Sequence, residues 1–223
     1  MLSSLNSQDV VRVLDRLFEK ADSDDPSAMA RAKAELEKVG GLQADGRAKA
    51  AAFGNVFMPV SRDVGRLLYI LARSRSTGLI VEFGASFGIS TIHLAAAARD
   101  RGTGRVVSTE LHPEKARQAG QNLGEAGLRD WVEIRDGDAL QTLRTLNDSV
   151  GLVLLDGWKD LYLPVLKLLE PRLLPGALIV ADDVSLFPDI LRPYLDYVRS
   201  PANGYLSVAV PMGDGVELSQ RIG

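Results

Sequence analysis

Short apolar runs alternate with amphipathic segments from residue 61 to the end of the chain, and this alternation leaves few folds open. The apolar runs predict strands at 79–83, 105–109, 131–135, 151–155 and 177–181, followed by "YLSVAVP" and "VELSQR". The segments between them predict helices at 61–74, 89–100, 113–126, 139–147, 160–171 and 187–199. Such alternation is typical of parallel βαβ units, so we expect one doubly wound α/β domain, with helices on both faces of a seven-stranded, mostly parallel sheet. The Asp-Gly turn in "MGDG" predicts that the last two strands form an antiparallel hairpin.

The chain before residue 58 has a different pattern, typical of two amphipathic helices. The first is predicted at residues 7–20, and the second begins in "DDPSAMARAKAELEKVGG", with Asp25 as its cap and Pro26 at its first position. We therefore divide the chain into an N-terminal helical appendage, residues 1–57, and a main domain, residues 58–223. The appendage serves either as extra cover for the core or as a lid or dimer contact, and the sequence leaves both open.

Composition excludes several kinds of site. The 223 residues include no cysteine and two histidines, so disulfides, thiolate metal sites and histidine-rich zinc sites are ruled out. Any metal must be held mainly by oxygen atoms. The net charge of −3 weighs against nucleic acid and anionic membranes as partners. Since no leader pattern and no bilayer-spanning apolar run is found, a cytoplasmic protein is the expected outcome.

Ligands of a doubly wound sheet bind outside the carboxyl ends of its strands. The first strand runs into "VEFGASFGIST", in which Gly84 and Gly88 allow the backbone to approach a ligand closely. Ser86 replaces the middle glycine of the dinucleotide pattern, and Glu82 precedes the turn. A carboxylate there disfavours a pyrophosphate and favours an ammonium group. The alternative is a turn that needs its glycines for geometry alone.

The next two strand ends also carry acids. Glu110 ends the second strand, where an acid can accept both hydroxyls of a ribose; the alternative is a solvated surface residue. Asp138 follows the third strand, where it meets an adenine amino group or caps the following helix.

Three carboxylates, those of Asp156, Asp182 and Asp183, follow two neighbouring strands. They would repel one another unless a cation lay between them, and Mg²⁺ prefers oxygen ligands. The sequence therefore predicts a site for Mg²⁺ or another divalent cation, the alternative being that one or two of these acids cap helices.

Lys159 and Trp158 lie where the helix after the fourth strand should begin. The helix dipole and a nearby cation both favour the neutral amine of Lys159, as a general base requires. The alternative is an ion pair with Asp160 or Asp156. Trp158 either forms one wall of the site or covers the core. His93 is interpreted as a packed or surface residue of its helix, without a catalytic role.

From about Met58 to the C-terminus, these residues resemble a known family. "VEFGASFGIST", "STELHPE", "LLDGWKDLYLPVL", "LIVADDV" and "VPMGDGVELSQR" are similar to motifs of the class I S-adenosylmethionine-dependent methyltransferases. Specifically, they resemble the cation-dependent O-methyltransferases that include catechol O-methyltransferase. The resemblance implies a Rossmann-like fold and, from the bacterial members, a homodimer.

The resemblance also implies residue roles. Cofactor contacts are implied for Val60, Glu82, Gly84, Ser86, Gly88, Ser90, Glu110, Asp138, Ala139 and Asp156. Metal ligation is implied for Asp156, Asp182 and Asp183, general-base catalysis for Lys159, and contact with the acceptor for Met58, Trp158 and Lys159. Asp183 stands where the family usually has Asn, Val208 where the mammalian enzyme has a catechol-binding acid, and Ala139 where it has a hydroxyl side chain.

These roles predict an O-methyltransferase that acts on a hydroxyl of a small, catechol-like aromatic molecule, assisted by Mg²⁺. One alternative is a methyltransferase that modifies a hydroxylated nucleoside of tRNA. Another is a non-catalytic protein that binds S-adenosylmethionine and uses its N-terminal helices for interaction.

Overall fold

The computed structural model describes residues 3–41 and 44–222. Residues 1, 2, 42 and 43 of the predicted N-terminal appendage and residue 223 of the predicted main domain lie outside the described residues. The described residues form seven strands: β1 Leu79–Phe83, β2 Val106–Glu110, β3 Val132–Asp136, β4 Val150–Leu155, β5 Leu173–Ala181, β6 Tyr205–Val210 and β7 Val216–Arg221. They also form eight α-helices: α1 Gln8–Lys38, α2 Gly46–Ala52, α3 Arg62–Ser74, α4 Ile89–Arg101, α5 Pro113–Glu125, α6 Ala139–Thr142, α7 Tyr162–Leu169 and α8 Pro188–Arg199.

One sheet contains all seven strands in the order β3-β2-β1-β4-β5-β7-β6. Strands β1 to β5 pair in parallel, whereas β7 runs antiparallel to both β5 and β6. The two central strands, β1 and β4, consist only of buried residues. Side chains on opposite faces of these strands belong to two separate apolar clusters, each covered by helices. The predicted doubly wound sheet with a closing hairpin is confirmed.

The predicted boundary between two N-terminal helices is wrong. Helix α1 runs without interruption from Gln8 to Lys38 and contains Pro26. A proline removes one backbone donor, but the helix continues to bury apolar side chains on one face beyond it, including Ala28 and Ala32. Asp25 does not cap a helix, because its carboxylate accepts hydrogen bonds from the backbone of residues 57 and 58.

Some helices also differ from the prediction. Helix α2 was not predicted; it is one short alanine-rich segment, capped by the Asp45 side chain, which accepts a 2.9 Å hydrogen bond from the backbone N–H of Ala48. Helices α6 and α7 are shorter than predicted, because the chain on their flanks forms tight 3-10 turns, Leu143–Thr145 and Lys159–Leu161. The turn at Lys159 lies directly beside the strand end that carries the candidate site.

The first half of α1 packs against helices α4 and α5. Val10, Val13 and Leu17 are buried in the same cluster as Ile80 of β1 and Leu152 of β4. This half of the helix therefore covers the core, while the division of the chain at residues 57 and 58 stays a prediction. No described helix is both long enough and apolar enough to cross a membrane.

Candidate active site

The candidate site lies where the strand order reverses. The chain leaves β1 to form β2 on one side and later returns to form β4 on the other side of β1. In doubly wound sheets the crossover helices diverge at such a point, and ligands bind in the crevice outside the carboxyl ends of the strands, here β1 and β4. Gly84 follows β1 and Asp156 follows β4, so the glycine turn and the acidic motif lie side by side.

The glycine turn has a backbone that requires its glycines. Gly84 has a φ of +103°, and a Cβ atom on it would lie 2.6 Å from the carbonyl oxygen of Asp156. Gly88 has a φ of +90° and is the N-cap of α4, where it has no side chain to cap the helix. Geometry therefore explains the glycines, and the same geometry leaves the N-terminus of α4 without a capping side chain at the crevice.

Glu110 is held across this turn. One carboxylate oxygen accepts a 2.8 Å hydrogen bond from the backbone N–H of Ser86, and the other accepts a 2.8 Å bond from the N–H of His112. Ser86 has a φ of +46°, and its hydroxyl donates to the carbonyl of Phe57 at 2.7 Å. Glu110 is thus oriented at the end of β2 and is not a freely solvated residue.

Glu82 is fully buried. Its carboxylate accepts hydrogen bonds from the hydroxyls of Ser90 and Thr91 on α4, both at 2.6 Å, and from Ser108 on β2. Burial raises the pKa of Glu82, and the three hydroxyls oppose that rise. Glu82 and Ser90 are bonded to each other in this structure, and their predicted contacts with a cofactor stay predictions.

The residues predicted to border an adenine have a structural role as well. The Asp138 side chain caps α6 by accepting a 2.9 Å hydrogen bond from the N–H of Leu140, as its alternative interpretation expected. Asp138 is exposed and Ala139 is buried. Val60 is also buried, in the main apolar cluster. Their roles toward a cofactor stay predictions.

Lys159 lies among the predicted metal-binding acids. Its ammonium nitrogen is 2.7 Å from Oδ2 of Asp183 and 3.5 Å from Oδ1 of Asp156. It also donates to the hydroxyl of Tyr162 at 2.8 Å, and this hydroxyl donates to the carbonyl of Asp182 at 3.1 Å. The fourth and fifth strand ends thus meet at one amine. An ion pair of Lys159 with Asp156 was one of the alternatives predicted from the sequence, whereas the closer pair with Asp183 was not predicted. The other alternative, a pair with Asp160, is not formed, because the Asp160 carboxylate lies 3.9 Å from Lys49.

Burial and repulsion by neighbouring carboxylates make Asp156 and Asp182 hard to ionise. Burial raises the pKa of Asp156 well above its usual range; Lys159 opposes the rise, and the charges of Asp182 and Asp183 add to it. Burial, together with the charge of Asp183, raises the pKa of Asp182 to about 7. Three carboxylates at one sheet edge with a single lysine therefore carry unfavourable negative charge.

The carboxylate oxygens of Asp156, Asp182 and Asp183 are donor atoms that suit a hard cation, although their positions do not form a complete coordination site. Among the described residues, no group of three or more His, Asp or Glu side chains is placed so that it could hold a metal ion. However, within the described part of the chain, Oδ1 of Asp182 is buried without a hydrogen-bond partner. An unpartnered buried carboxylate oxygen beside two further carboxylates fits the oxygen ligation of Mg²⁺. For Mg²⁺ to bind there, Lys159 would have to release part of its contact with Asp183 and Asp156.

Aromatic side chains lie around the turn that carries Lys159. Trp158 is half-buried and meets the ring of Phe53 edge-on, with the ring centroids 5.7 Å apart. Phe187 is 39% exposed, and the Lys159 nitrogen is 6.0 Å from its ring centroid. Met58 is 41% exposed and has a φ of +47°. Sequence reasoning missed Phe53 and Phe187; the position of Phe187 shortly after the two aspartates was a usable signal, whereas Phe53 had none.

Comparison with known proteins identifies the class. A family model described as a methyltransferase domain matches residues 81–184. Catechol O-methyltransferase of Mycobacterium tuberculosis is 37% identical over 126 residues, which are 56% of this chain and 56% of that enzyme. Catechol O-methyltransferase of Sus scrofa is 31% identical over 134 residues, which are 57% of this chain and 71% of that enzyme.

Solved structures match this chain over a larger share of its length than these two relatives do. The O-methyltransferase TomG from Streptomyces achromogenes, solved in complex with SAM, is 25% identical with a TM-score of 0.68 and is matched over 88% of this chain and 90% of TomG. Cofactor-bound Rv0187 from MTB is 27% identical with a TM-score of 0.67, over 96% of this chain and 97% of that one. The fold is that of a class I methyltransferase.

More specifically, the chain belongs to the family of S-adenosylmethionine-dependent O-methyltransferases that includes catechol O-methyltransferase. The sequence matches cover only about half of most of the curated relatives, for example 55% of the Danio rerio enzyme and 56% of the Mus musculus enzyme.

Proposed function

We propose that this protein transfers a methyl group from S-adenosylmethionine to a hydroxyl of a small, catechol-like aromatic molecule. The observation that carries the proposal is the position of Lys159, 2.7 Å from Asp183 and 3.5 Å from Asp156, next to the glycine turn. An amine, carboxylates and a turn suited to a cofactor lie together at one sheet edge. Relatives named catechol O-methyltransferase support the reaction and the acceptor class.

In this proposal the cofactor lies along the glycine turn. Glu110 accepts the ribose hydroxyls, for which each carboxylate oxygen has acceptor capacity beyond its one backbone hydrogen bond. Gly84 and Gly88 allow close approach of the methionine part, and the negative field of Glu82 favours its ammonium group. Ser86, Ser90, Val60, Asp138, Ala139 and Asp156 complete the surroundings. The structure of TomG in complex with SAM supports this choice of cofactor.

Asp156, Asp182 and Asp183 would hold Mg²⁺. The unpartnered Oδ1 of Asp182 and the mutual repulsion of the acids, both within the described residues, support this assignment. When bound, Mg²⁺ supplies Lewis-acid activation that lowers the pKa of an acceptor hydroxyl. Asp183 adds a charge where Asn is usual in the family, which favours tighter binding of a divalent cation.

Lys159 acts in its neutral form, in which the amine nitrogen has a lone pair that accepts the proton of the attacking hydroxyl. Its contacts with Tyr162 and Asp183 hold the amine in place at the site. The hydroxyl oxygen then uses a lone pair to form a bond with the methyl carbon. The carbon–sulfur bond breaks, its electrons stay on sulfur, and S-adenosylhomocysteine leaves. Met58 and Trp158 hold the acceptor ring at near-attack distance.

The test is methyl transfer from tritiated S-adenosylmethionine to a panel of catechols, phenols and bulk tRNA, with EDTA or with added Mg²⁺. We expect methylation of catechols, loss of activity in EDTA and its recovery with Mg²⁺. Full activity in EDTA would contradict the metal role, and transfer to tRNA alone would contradict the acceptor class.

The base is tested with Lys159→Met. We expect kcat to fall by about 100-fold or more, with the Kd of S-adenosylhomocysteine changed by less than about twofold. The matched control is Lys167→Met on α7, whose amine lies over the ring of Tyr197, 4.8 Å from its centroid. The control should keep its rate. An unchanged kcat in Lys159→Met would remove Lys159 as the base.

The homodimer, the cytoplasmic location and the division at residues 57 and 58 are further proposals. Analytical ultracentrifugation of the full chain tests the first, and limited proteolysis tests the last. A monomer at micromolar concentration would exclude a stable dimer.

A further inference from the structure

Residues 56–60, "VFMPV", form a strap that crosses from the N-terminal helices to the main domain. Asp25 of α1 holds one side of this strap. Its two carboxylate oxygens accept hydrogen bonds from the backbone N–H groups of Phe57, at 2.7 Å, and of Met58, at 2.9 Å. Met58 has a φ of +47°, a conformation that costs free energy for a side chain of this size, so these bonds stabilise a strained backbone.

Lys115 of α5 holds the other side of the strap. It is only 4% exposed, and its ammonium group donates to the carbonyl of Val56 at 2.7 Å and to the hydroxyl of Ser86 at 3.3 Å. Burial lowers the pKa of Lys115, and the charges of Glu110 and Asp25 oppose this change. A buried ammonium group is costly unless it is bonded, so these contacts determine where it lies.

The strap and the cofactor turn are joined directly. The Ser86 hydroxyl donates to the Phe57 carbonyl at 2.7 Å, and the Ser86 N–H donates to Glu110. The ring of Phe57 stacks on that of Phe87, with centroids 4.1 Å apart. At Phe57, the strap is therefore tied to Ser86 in the turn by contacts in which Asp25 takes no part.

Apolar packing encloses the strap only in part on the side of α1: Val56 is buried against Ala28 and Ala32, whereas Pro59 borders an open groove. A shallow, open surface groove of about 380 Å³ lies there, lined by Ala21, Asp22, Asp25, Pro26, Met29 and Pro59. The hydrogen bonds that the Asp25 carboxylate accepts therefore hold the strap at Phe57 and Met58, beside this groove.

We propose that Asp25 and Lys115 are positioning residues for methyl transfer, an inference that rests on the proposed function. Asp25 sets the backbone at Met58 and so the acceptor side of the site. Lys115 sets Val56 and Ser86 and so the cofactor side. Neither side chain needs to contact the reacting atoms.

The Asp25 arm compares Asp25→Asn with Asp22→Asn. Asparagine has the shape of aspartate and keeps one acceptor oxygen. Its NH₂ group, however, cannot accept a hydrogen bond, so one of the two backbone N–H groups loses its acceptor. Asp22 is exposed, borders the same groove and loses the same charge, so it is the matched control. Amide hydrogen exchange of the full chain should become about tenfold faster at residues 57 and 58 in Asp25→Asn only. Equal exchange in both variants would overturn the proposal.

The Lys115 arm compares Lys115→Met with Arg117→Met on the same helix, where Arg117 is exposed and pairs with Glu114. Calorimetry with S-adenosylhomocysteine should give a Kd raised by about tenfold in Lys115→Met and unchanged in the control. In Asp25→Asn this Kd should stay within about twofold, while the KM for catechol rises by about tenfold.

This split separates positioning from general destabilisation. Thermal unfolding of each variant shows whether it is folded, and a folded Lys115→Met with unchanged Kd overturns the role of Lys115. Equal changes in Kd and KM in both variants overturn the separate roles. If the wild-type protein does not bind S-adenosylhomocysteine, the proposed function fails, whereas faster exchange in Asp25→Asn would still show that Asp25 holds the strap.

Discussion

Acid should destabilise this protein through His93, a buried histidine of α4. His93 is 3% exposed, and its Nδ1 lies 2.8 Å from the carbonyl oxygen of Ile89. Its ring lies against Gly65 of α3, where a Cβ atom would come within 2.6 Å of it. Burial, and secondarily the charges of Arg66 and Arg62, lower the pKa of His93 to about 4, against the backbone hydrogen bond to Ile89. The folded protein therefore keeps this ring neutral.

The sign and size of the effect follow from the difference between the two states. The pKa of a histidine in the unfolded chain is about 6.5, so the unfolded state binds the proton more readily between about pH 6.5 and 4. The contribution of neutral His93 is present above about pH 6.5 and is lost as the pH falls toward 4. At about 1.4 kcal/mol for each pKa unit, the total is about 3 kcal/mol, of which about 2 kcal/mol is lost by pH 5.

Urea unfolding of the wild-type protein and of His93→Gln, each at about pH 7.5 and about pH 5 with EDTA, measures this contribution. The free energy of unfolding of the wild-type protein relative to the variant should fall by about 2 kcal/mol at the lower pH. Comparing the two proteins cancels the opposite pH dependence of the acidic cluster. If the difference between them is the same at both pH values, His93 is protonated in the folded protein and the reasoning is wrong.

Three further outcomes test the core and the site. Without metal, the pKa of Asp182 is raised to about 7, so the wild-type protein loses stability as the pH rises from about 4 to 7. The Tm of Asp182→Asn should therefore change less between pH 5 and 8 than the Tm of the wild-type protein. Parallel plots of Tm against pH for the two proteins would contradict this. Gly84→Ala should destabilise by about 1–3 kcal/mol in urea and weaken binding of S-adenosylhomocysteine, because φ is +103° and the new Cβ meets backbone; Gly124→Ala, with nothing within 4 Å, should be neutral or stabilising. Leu152→Ala should cost about 2–5 kcal/mol by the same assay, and a cost below about 1 kcal/mol would mean that the fully buried site collapses around the smaller side chain.

The strands could be predicted because their signal is local. β1 begins and ends where the apolar run predicted, since a strand buried on both faces can contain few polar residues. The N-terminal helices could not be divided correctly from local signals. Asp25 followed by Pro26 has the sequence of a helix start, but in the folded protein Asp25 bonds to residues more than thirty positions away.

The site was predicted to the level of the sheet edge and no further. Strand ends can be found in the sequence, so Glu110, Asp156 and Lys159 were expected together. The 2.7 Å contact between Lys159 and Asp183 depends on the φ of +64° at Asp183, which no sequence pattern specifies. Phe53 reaches Trp158 from a segment that precedes the sheet by more than twenty residues. Contacts of this kind depend on the tertiary structure.

Glu82 connects the core to the site. A buried carboxylate is unfavourable unless it is satisfied, and here its two oxygens accept three hydroxyls, from Ser90, Thr91 and Ser108. These hydroxyls belong to α4 and β2, so the carboxylate ties the first turn of α4 to the central strands. Because Gly84 lies only two residues after Glu82, the same contacts hold the glycine turn in place. Glu82 therefore acts on this turn through structure as well as through its charge.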